Sequence, residues 1–314
     1  MIILLVAMLG FFAFFSVATG ESTESSVVTA VEAPPAVAVA ATPEEGGYAR
    51  PEWLAEPDWL MEHLGDANVT VIALTPPSNF GSGHIPGAVQ IDWQDLEIVD
   101  TSDPAIEAWQ GEVEAILTNL GVERSDTVVI YDGGTLFAPR LWWVLHQLGH
   151  EDKRVLNGGL DAWKAAGGEV EEGEVAVEPA ADPYRGTPDD AALATLDEVQ
   201  ASLDDPNVVL VDARTIEEYV DGHIPGALSI PFTDNAVADD PKVWKSAEEL
   251  RAMYDAVGVT ADKLVIPYCT TGVRSATTYF TLGLIGYDNI ALYTGSWEEW
   301  SSHPELPTAQ GRRP

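Results

Sequence analysis

The chain has 314 residues, with 51 acidic against 15 basic side chains and a single Cys, a length that holds two domains of ordinary size. Hydrophobic residues at 46% and aromatics at 9% exclude a disordered or collagen-like chain, and one Cys excludes an intrachain disulfide. A formal charge of −36 without a local run of Lys or Arg excludes nucleic acid as a partner, so the acidity reads as a surface property.

Ile2 to Ala18 are uncharged and almost wholly apolar, and Thr19-Gly20-Glu21 then turns polar. This pattern predicts that residues 1–20 are an export signal, or a membrane anchor if the segment is not cut, with the remainder exported to the periplasm or another extracytoplasmic space. From 21 to 47 the Ser, Thr, Ala, Val, Pro and Glu composition without periodicity predicts a flexible linker. Two bodies of similar length follow. A stretch from Gly167 to Gly186, acidic and rich in Gly and Pro, divides them and is expected to be the interdomain linker, placed at 171–187.

The bodies repeat each other. Gly83-His84-Ile85-Pro86-Gly87-Ala88 recurs as Gly222-His223-Ile224-Pro225-Gly226-Ala227. Val128-Val129-Ile130-Tyr131 corresponds to Leu264-Val265-Ile266 with Tyr268, and Gly158 with Trp163 corresponds to Gly295 with Trp300. A period this long is a duplicated whole domain. In the second copy Leu196 to Leu203 predicts a helix and Val208 to Val211 a buried strand. Leu264 to Ile266 predicts a second strand, Ser275 to Leu284 a helix and Asn289 to Leu292 a further strand. Alternating strands and helices imply two α/β domains, each a mainly parallel sheet flanked by helices.

The strand at Leu264 runs into Cys269-Thr270-Thr271-Gly272-Val273-Arg274-Ser275. A loop between a strand end and a helix start aims several N–H groups at one spot, where the helix dipole adds partial positive charge. A Cys placed first in such a loop, with Arg274 closing it, should favour the thiolate and act as a nucleophile. Asp212 and Arg214, at the end of a buried strand, are expected to fix a loop. His84 and His223 recur in a copy without a nucleophile and are expected to serve the fold. Trp297 and Trp300 are expected to complete a core. With one Cys and no paired His spacing, neither a metal nor a cofactor is expected.

Cys269 to Arg274, the Gly222 to Ala227 turn, Asp212-Ala213-Arg214 and Tyr293 to Trp300 together resemble the catalytic half of a tandem-domain rhodanese, over about residues 48 to 310. The resemblance implies two rhodanese-like domains, the first, 48–170, inactive and the second, 188–314, catalytic. It implies that Cys269 takes the sulfane sulfur of thiosulfate as a persulfide and passes it to cyanide or a thiol. Thr270, Thr271, Gly272, Val273, Arg274 and Ser275 would bind the donor, with Arg185 as a further basic candidate. The alternatives are a 3-mercaptopyruvate sulfurtransferase, or a sulfur-carrier or oxyanion-binding module without turnover. Similar phosphatases and arsenate reductases place five residues between Cys and Arg, whereas this loop has four, which suits one sulfur atom better than a phosphoryl group. Asp132 stands where Cys269 does in the first copy, so that copy carries no persulfide, and a capping role is expected for this carboxylate.

Overall fold

Strands buried on both faces are near-continuous apolar runs, and the two copies supply them at corresponding places. The computed structural model describes residues 47–314, so the signal or anchor expected at 1–20 and nearly all of the linker expected at 21–47 lie outside the described residues. Among the described residues no helix is long and apolar enough to cross a membrane.

The first unit runs β1 (Leu54–Ala55), α1 (Pro57–His63), β2 (Val69–Leu74), α2 (Pro77–Gly81), β3 (Val89–Ile91), α3 (Asp103–Asn119), β4 (Thr127–Tyr131), α4 (Pro139–Gln147), β5 (Lys153–Leu156) and α5 (Gly159–Ala165). Its sheet has the order β1-β5-β4-β2-β3, with every neighbouring pair parallel. The second unit runs α6 (Leu196–Ser202), β6 (Val208–Asp212), α7 (Ile216–Asp221), β7 (Leu228–Ser229), α8 (Ala247–Asp255), β8 (Leu264–Tyr268), α9 (Val273–Leu284) and α10 (Ser296–Ser302). Its sheet is β7-β6-β8, also parallel.

The strand expected at Asn289 to Leu292 is reduced to isolated parallel bridges, Val265 to Ile290 and Leu193 to Leu292. These occupy the places of β5 and β1, so the strand order of the first sheet is kept in outline. Pro267 explains the loss. It accepts from Tyr293 N at 3.2 Å but has no N–H to return, and the ladder stops after Val265.

The repeated Gly-His-Ile-Pro-Gly-Ala turn is a corner held by the central strand. The hydroxyl of Tyr131 accepts from Ile85 N at 3.1 Å, and that of Tyr268 from Ile224 N, also at 3.1 Å. His84 bonds the Phe80 carbonyl through Nδ1 at 3.0 Å and stacks on that ring; His223 does the same with Tyr219 at 2.8 Å. Both imidazoles are thereby committed to the fold. The segment 171–187 is strapped along the first unit: Glu171 pairs with His84, Ala180 N donates to the Thr118 carbonyl, and Thr187 N donates to the Leu148 carbonyl. In the second copy Ala309 pairs with His223 in the same way, so this strap is itself part of the repeat.

The units share one core. Leu141, Trp142 and Trp143 of α4 belong to the same apolar cluster as Phe280, Leu282 and Leu284 of α9, with the Trp142 and Phe280 ring centroids 5.0 Å apart. Thr277 on α9 donates to the Leu136 carbonyl, and Trp143 Nε1 donates to the Ala192 carbonyl at 3.1 Å. Eleven of the twelve residues of α9 are buried, because the first unit covers the face that a free-standing domain would expose.

Candidate active site

Strand β8 delivers Cys269 to the edge of its sheet, and the chain then turns through Thr270, Thr271 and Gly272 into α9. Gly272 has φ +83°, and a Cβ there would lie 2.6 Å from Thr294 Oγ1 and 2.8 Å from the Thr294 carbonyl oxygen. Both the backbone conformation and the close approach therefore require glycine. The loop is fastened from behind by α10. Cys269 N donates to Ser296 Oγ at 3.1 Å, Trp297 N donates to the Cys269 carbonyl at 3.0 Å, and Glu298 N donates to the Thr270 carbonyl at 3.1 Å. Ser296 has φ +57°, a conformation that costs a non-glycine residue of order 1–3 kcal/mol. Its hydroxyl, donating to Tyr293 O at 2.8 Å, helps hold it there.

The amides of Thr270, Thr271 and Gly272 donate to no protein acceptor among the described residues, so they remain free for an anion at the start of a twelve-residue helix. Ser275, in the first turn of α9, is fully buried, and its hydroxyl also lacks a partner among the described residues. Cys269 is 1% exposed. It lies at the base of the loop, and the half-buried residues above it are Thr270, Thr271 and Arg274. A cavity of about 340 Å³ lined by Asp100, Thr101, Asp197, Glu299 and His303 does not include the loop, and its acidic walls would repel an anionic donor.

Arg274 reaches across the loop and is engaged. Its Nη1 and Nη2 each bond one Glu218 carboxylate oxygen at 2.8 Å, and Nη2 also donates to Thr270 Oγ1 at 2.6 Å. Burial pulls the guanidinium down, but the hydrogen bonds to Glu218 outweigh it, and its pKa lies above the ordinary value. Arg185 is not brought to this group: it is exposed and pairs with Glu114 of α3 at 2.9 Å. The Asp212 and Arg214 pair is buried, with Nη2 to Oδ2 at 2.6 Å, and the same Nη2 donates to the Gly222 carbonyl at 2.6 Å. It ties the end of β6 to the repeated corner, while Trp297 lies over its guanidinium at 4.8 Å. Trp300 is fully buried in the core behind.

Asp132 caps its own loop as expected, accepting from Gly134 N, Thr135 N and Ala138 N at 2.8–2.9 Å. Among the described residues no group of three or more His, Cys, Asp or Glu converges to hold a metal ion.

Two residues that sequence reasoning missed complete the site. Glu218 was hidden by another role: with Thr215 it forms a capping box on α7, so the Thr-x-x-Glu spacing is already explained without reference to Arg274. Arg140 of α4 is fully buried, and its Nη1 donates at 3.0 Å to the hydroxyl of Thr294, the residue against which Gly272 of the loop is pressed. Its signal in the sequence was a lone Arg within the apolar run Pro139-Arg140-Leu141-Trp142-Trp143.

The Glu218 and Arg274 pair has a testable pH signature. Hydrogen bonds from Arg274, working against burial, hold the Glu218 carboxyl at about 2 rather than 4.5. A carboxyl depressed in the folded state stabilises above its ordinary value and loses that contribution as pH falls through the folded one. Gln retains an acceptor for the capping box but carries no charge. The Tm difference between wild type and Glu218→Gln should therefore be constant near neutrality and close as pH falls from about 4.5 to about 2, as thermal melts at stepped pH will show.

The sequence profile of the rhodanese-like domain matches residues 56–166 and 195–303. The chain belongs to the rhodanese family. Its fold is two rhodanese-like domains, each a parallel sheet flanked by helices. It is 36% identical to the sulfur carrier protein TtuD of Thermus thermophilus, over 84% of this chain and 99% of that protein. It is 32% identical to the thiosulfate sulfurtransferase of Pseudomonas aeruginosa, over 80% and 95% respectively. Among solved structures it is similar to SseA of Escherichia coli, described as a 3-mercaptopyruvate sulfotransferase, with TM-score 0.68 and 30% identity over 78% of this chain and 98% of that one. The tandem rhodanese therefore falls among sulfurtransferases of the thiosulfate and 3-mercaptopyruvate type.

Proposed function

We propose that this rhodanese is a thiosulfate sulfurtransferase that works through a persulfide on Cys269, with 188–314 the catalytic domain, 48–170 the non-catalytic one and 171–187 the connection between them. The observation that carries the reading is a loop that starts with the chain's one thiol, leaves three successive amides without an acceptor and is crossed by Arg274. In the first step the Cys269 thiolate attacks the outer sulfur of thiosulfate. A new S–S bond forms, the bond to the inner sulfur breaks, and sulfite leaves with that electron pair. In the second step cyanide or a thiolate attacks the outer sulfur and Cys269 departs as thiolate, so no external oxidant or reductant is needed. The loop amides and Arg274 meet the charge on the transferred sulfur.

Thiosulfate is favoured over 3-mercaptopyruvate because a dianion gains most from a guanidinium on the rim. Because Glu218 occupies that guanidinium, the donor competes with a carboxylate for it. Glu218→Gln should lower KM for thiosulfate by about threefold to tenfold, with a smaller change for the monoanionic 3-mercaptopyruvate; steady-state kinetics with both donors read this. A wild-type preference for 3-mercaptopyruvate in kcat/KM would overturn the donor assignment.

The likeness to a protein named as a sulfur carrier favours a second reading, in which the persulfide is formed once and held for a protein acceptor. A mass gain of about 32 Da on treatment with thiosulfate tests the persulfide common to both readings. Repeated sulfite release with cyanide present distinguishes turnover from storage. We further propose that the protein works outside the cytoplasm, on the strength of the apolar run from Ile2 to Ala18. The mass of the mature chain tests whether that run is removed.

A further inference from the structure

We propose that Arg140, carried by the domain that has no nucleophile, is a positioning residue for the catalytic loop: through Thr294 it fixes the wall on which Gly272, and with it the row of free amides, is seated. The proposal rests on the reading of Cys269 as nucleophile and gives the first domain a part in arranging the site.

The link is a short chain of contacts. Arg140 lies on α4 and is 0% exposed. Its Nη2 donates to the Leu96 carbonyl of its own domain, and its Nη1 donates at 3.0 Å to the hydroxyl of Thr294 in the other. Among the described residues that is the one hydrogen bond of the Thr294 hydroxyl. Thr294 in turn stands so close to Gly272 that a Cβ there would lie 2.6 Å from its Oγ1, 2.8 Å from its carbonyl oxygen and 3.0 Å from its Cα. Gly272, with φ +83°, is the residue that caps the start of α9. A displacement of Thr294 is therefore passed directly to the turn that carries the amides.

Thr294 also sits inside the segment that fastens the loop. The Tyr293 carbonyl before it receives the Ser296 hydroxyl, and Ser296 Oγ receives Cys269 N at 3.1 Å. The second domain thus holds the loop with its own backbone and hydroxyl groups, and the first domain pins the middle of that holding segment.

The choice of arginine fits this role. A guanidinium taken out of water without a carboxylate is costly, and no carboxylate lies within ion-pair distance of Arg140 among the described residues. Burial lowers its pKa to about 10, which leaves it charged at neutral pH. What the side chain supplies is shape. A planar fork spans one acceptor on each domain, and its carbon lies 4.9 Å and 6.0 Å from the ring centroids of Trp143 and Trp109, which flank it. A buried charge kept for its geometry should matter more to the rate than to the fold.

The test uses full-length protein, with near-UV circular dichroism reporting the fold. Arg140→Met should lower kcat for sulfite release about tenfold to a hundredfold, with KM for thiosulfate changed less than about threefold. In 1H–15N spectra of the same variant the amide resonances of Cys269 and Gly272 should move while those of α1 and α8 stay, which a general loosening of the fold would not produce. Thr294→Val keeps the shape and loses the acceptor, so it should lose rate as Arg140→Met does, and the two changes together should cost little more than one. Thr294→Ser, which restores the acceptor, should recover most of what Thr294→Val loses. A folded Arg140→Met with wild-type kcat, or with unmoved loop amides, overturns the proposal. Should Arg140→Met not fold, the Thr294 pair decides: Val and Ser variants alike in kcat and in the Gly272 resonance overturn it. Mass spectrometry of thiosulfate-treated wild type separates the two readings: no gain of sulfur refutes the proposed reaction, while a moved Gly272 resonance in Arg140→Met leaves the link between the domains standing.

Discussion

Cys269→Ser should abolish sulfite release from thiosulfate and the accompanying gain of mass, with kcat falling about a thousandfold or more, while near-UV circular dichroism stays as in wild type. The chemical half follows from the sequence itself, because no second Cys exists to take over and a hydroxyl at this place is a far weaker nucleophile. The structural half follows from how the loop is held. Its fastenings are backbone groups: Cys269 N on Ser296, the Cys269 carbonyl under Trp297 N and the Thr270 carbonyl under Glu298 N. None passes through the sulfur. A variant that folds and still releases sulfite at the wild-type rate would remove Cys269 from the mechanism.

Asp212→Ala should cost about 3–5 kcal/mol, seen as a fall in Tm of about 10 °C. Asp212 is 0% and Arg214 3% exposed, so deleting the carboxylate leaves a guanidinium buried against Tyr268 and Trp297 without its anion. The duplicated copy supplies the control. At the same places the first domain has Ala73 and Thr75, with Ala73 paired to Tyr131 as Asp212 is to Tyr268, and it keeps the same corner and the same tyrosine bond without any ion pair. The pair is thus one solution for this strand end rather than a requirement of the fold. Asp212→Ala combined with Arg214→Leu should accordingly regain most of the lost stability. If the double variant melts as low as the single one, the loss does not come from the stranded charge.

What could be read in the sequence was local. The loop from Cys269 to Ser275 was legible because its meaning depends on adjacent features: a strand end, a glycine for a positive φ, and a helix start. The duplication was legible because whole motifs recur in order, and capping by Asp132 because its acceptors and donors lie within six residues. Arg140 was not, since its bond to Thr294 behind the loop exists only once α4 of one domain is laid against the other. Glu218 was masked by a capping box that accounted for it fully. The strand expected at 289–292 failed on one atom, the hydrogen that Pro267 does not carry. The stretch from Gly167 to Gly186 had the composition of a loose tether, yet backbone hydrogen bonds to the first unit, which composition does not encode, hold it as a strap.

The enclosure of α9 bears on how the protein takes up a sulfur atom. A helix buried at eleven of twelve positions and pinned through Thr277 to the opposite unit is an anvil: it has nowhere to recoil when its leading loop receives extra bulk. On the function proposed above, the empty and loaded forms would share one scaffold, and the added volume would be taken up at the outer lip, where Arg274 would exchange Glu218 for the newcomer. The enzyme would tell its two states apart by a swap of partners at a single guanidinium, leaving the rest of the fold at rest.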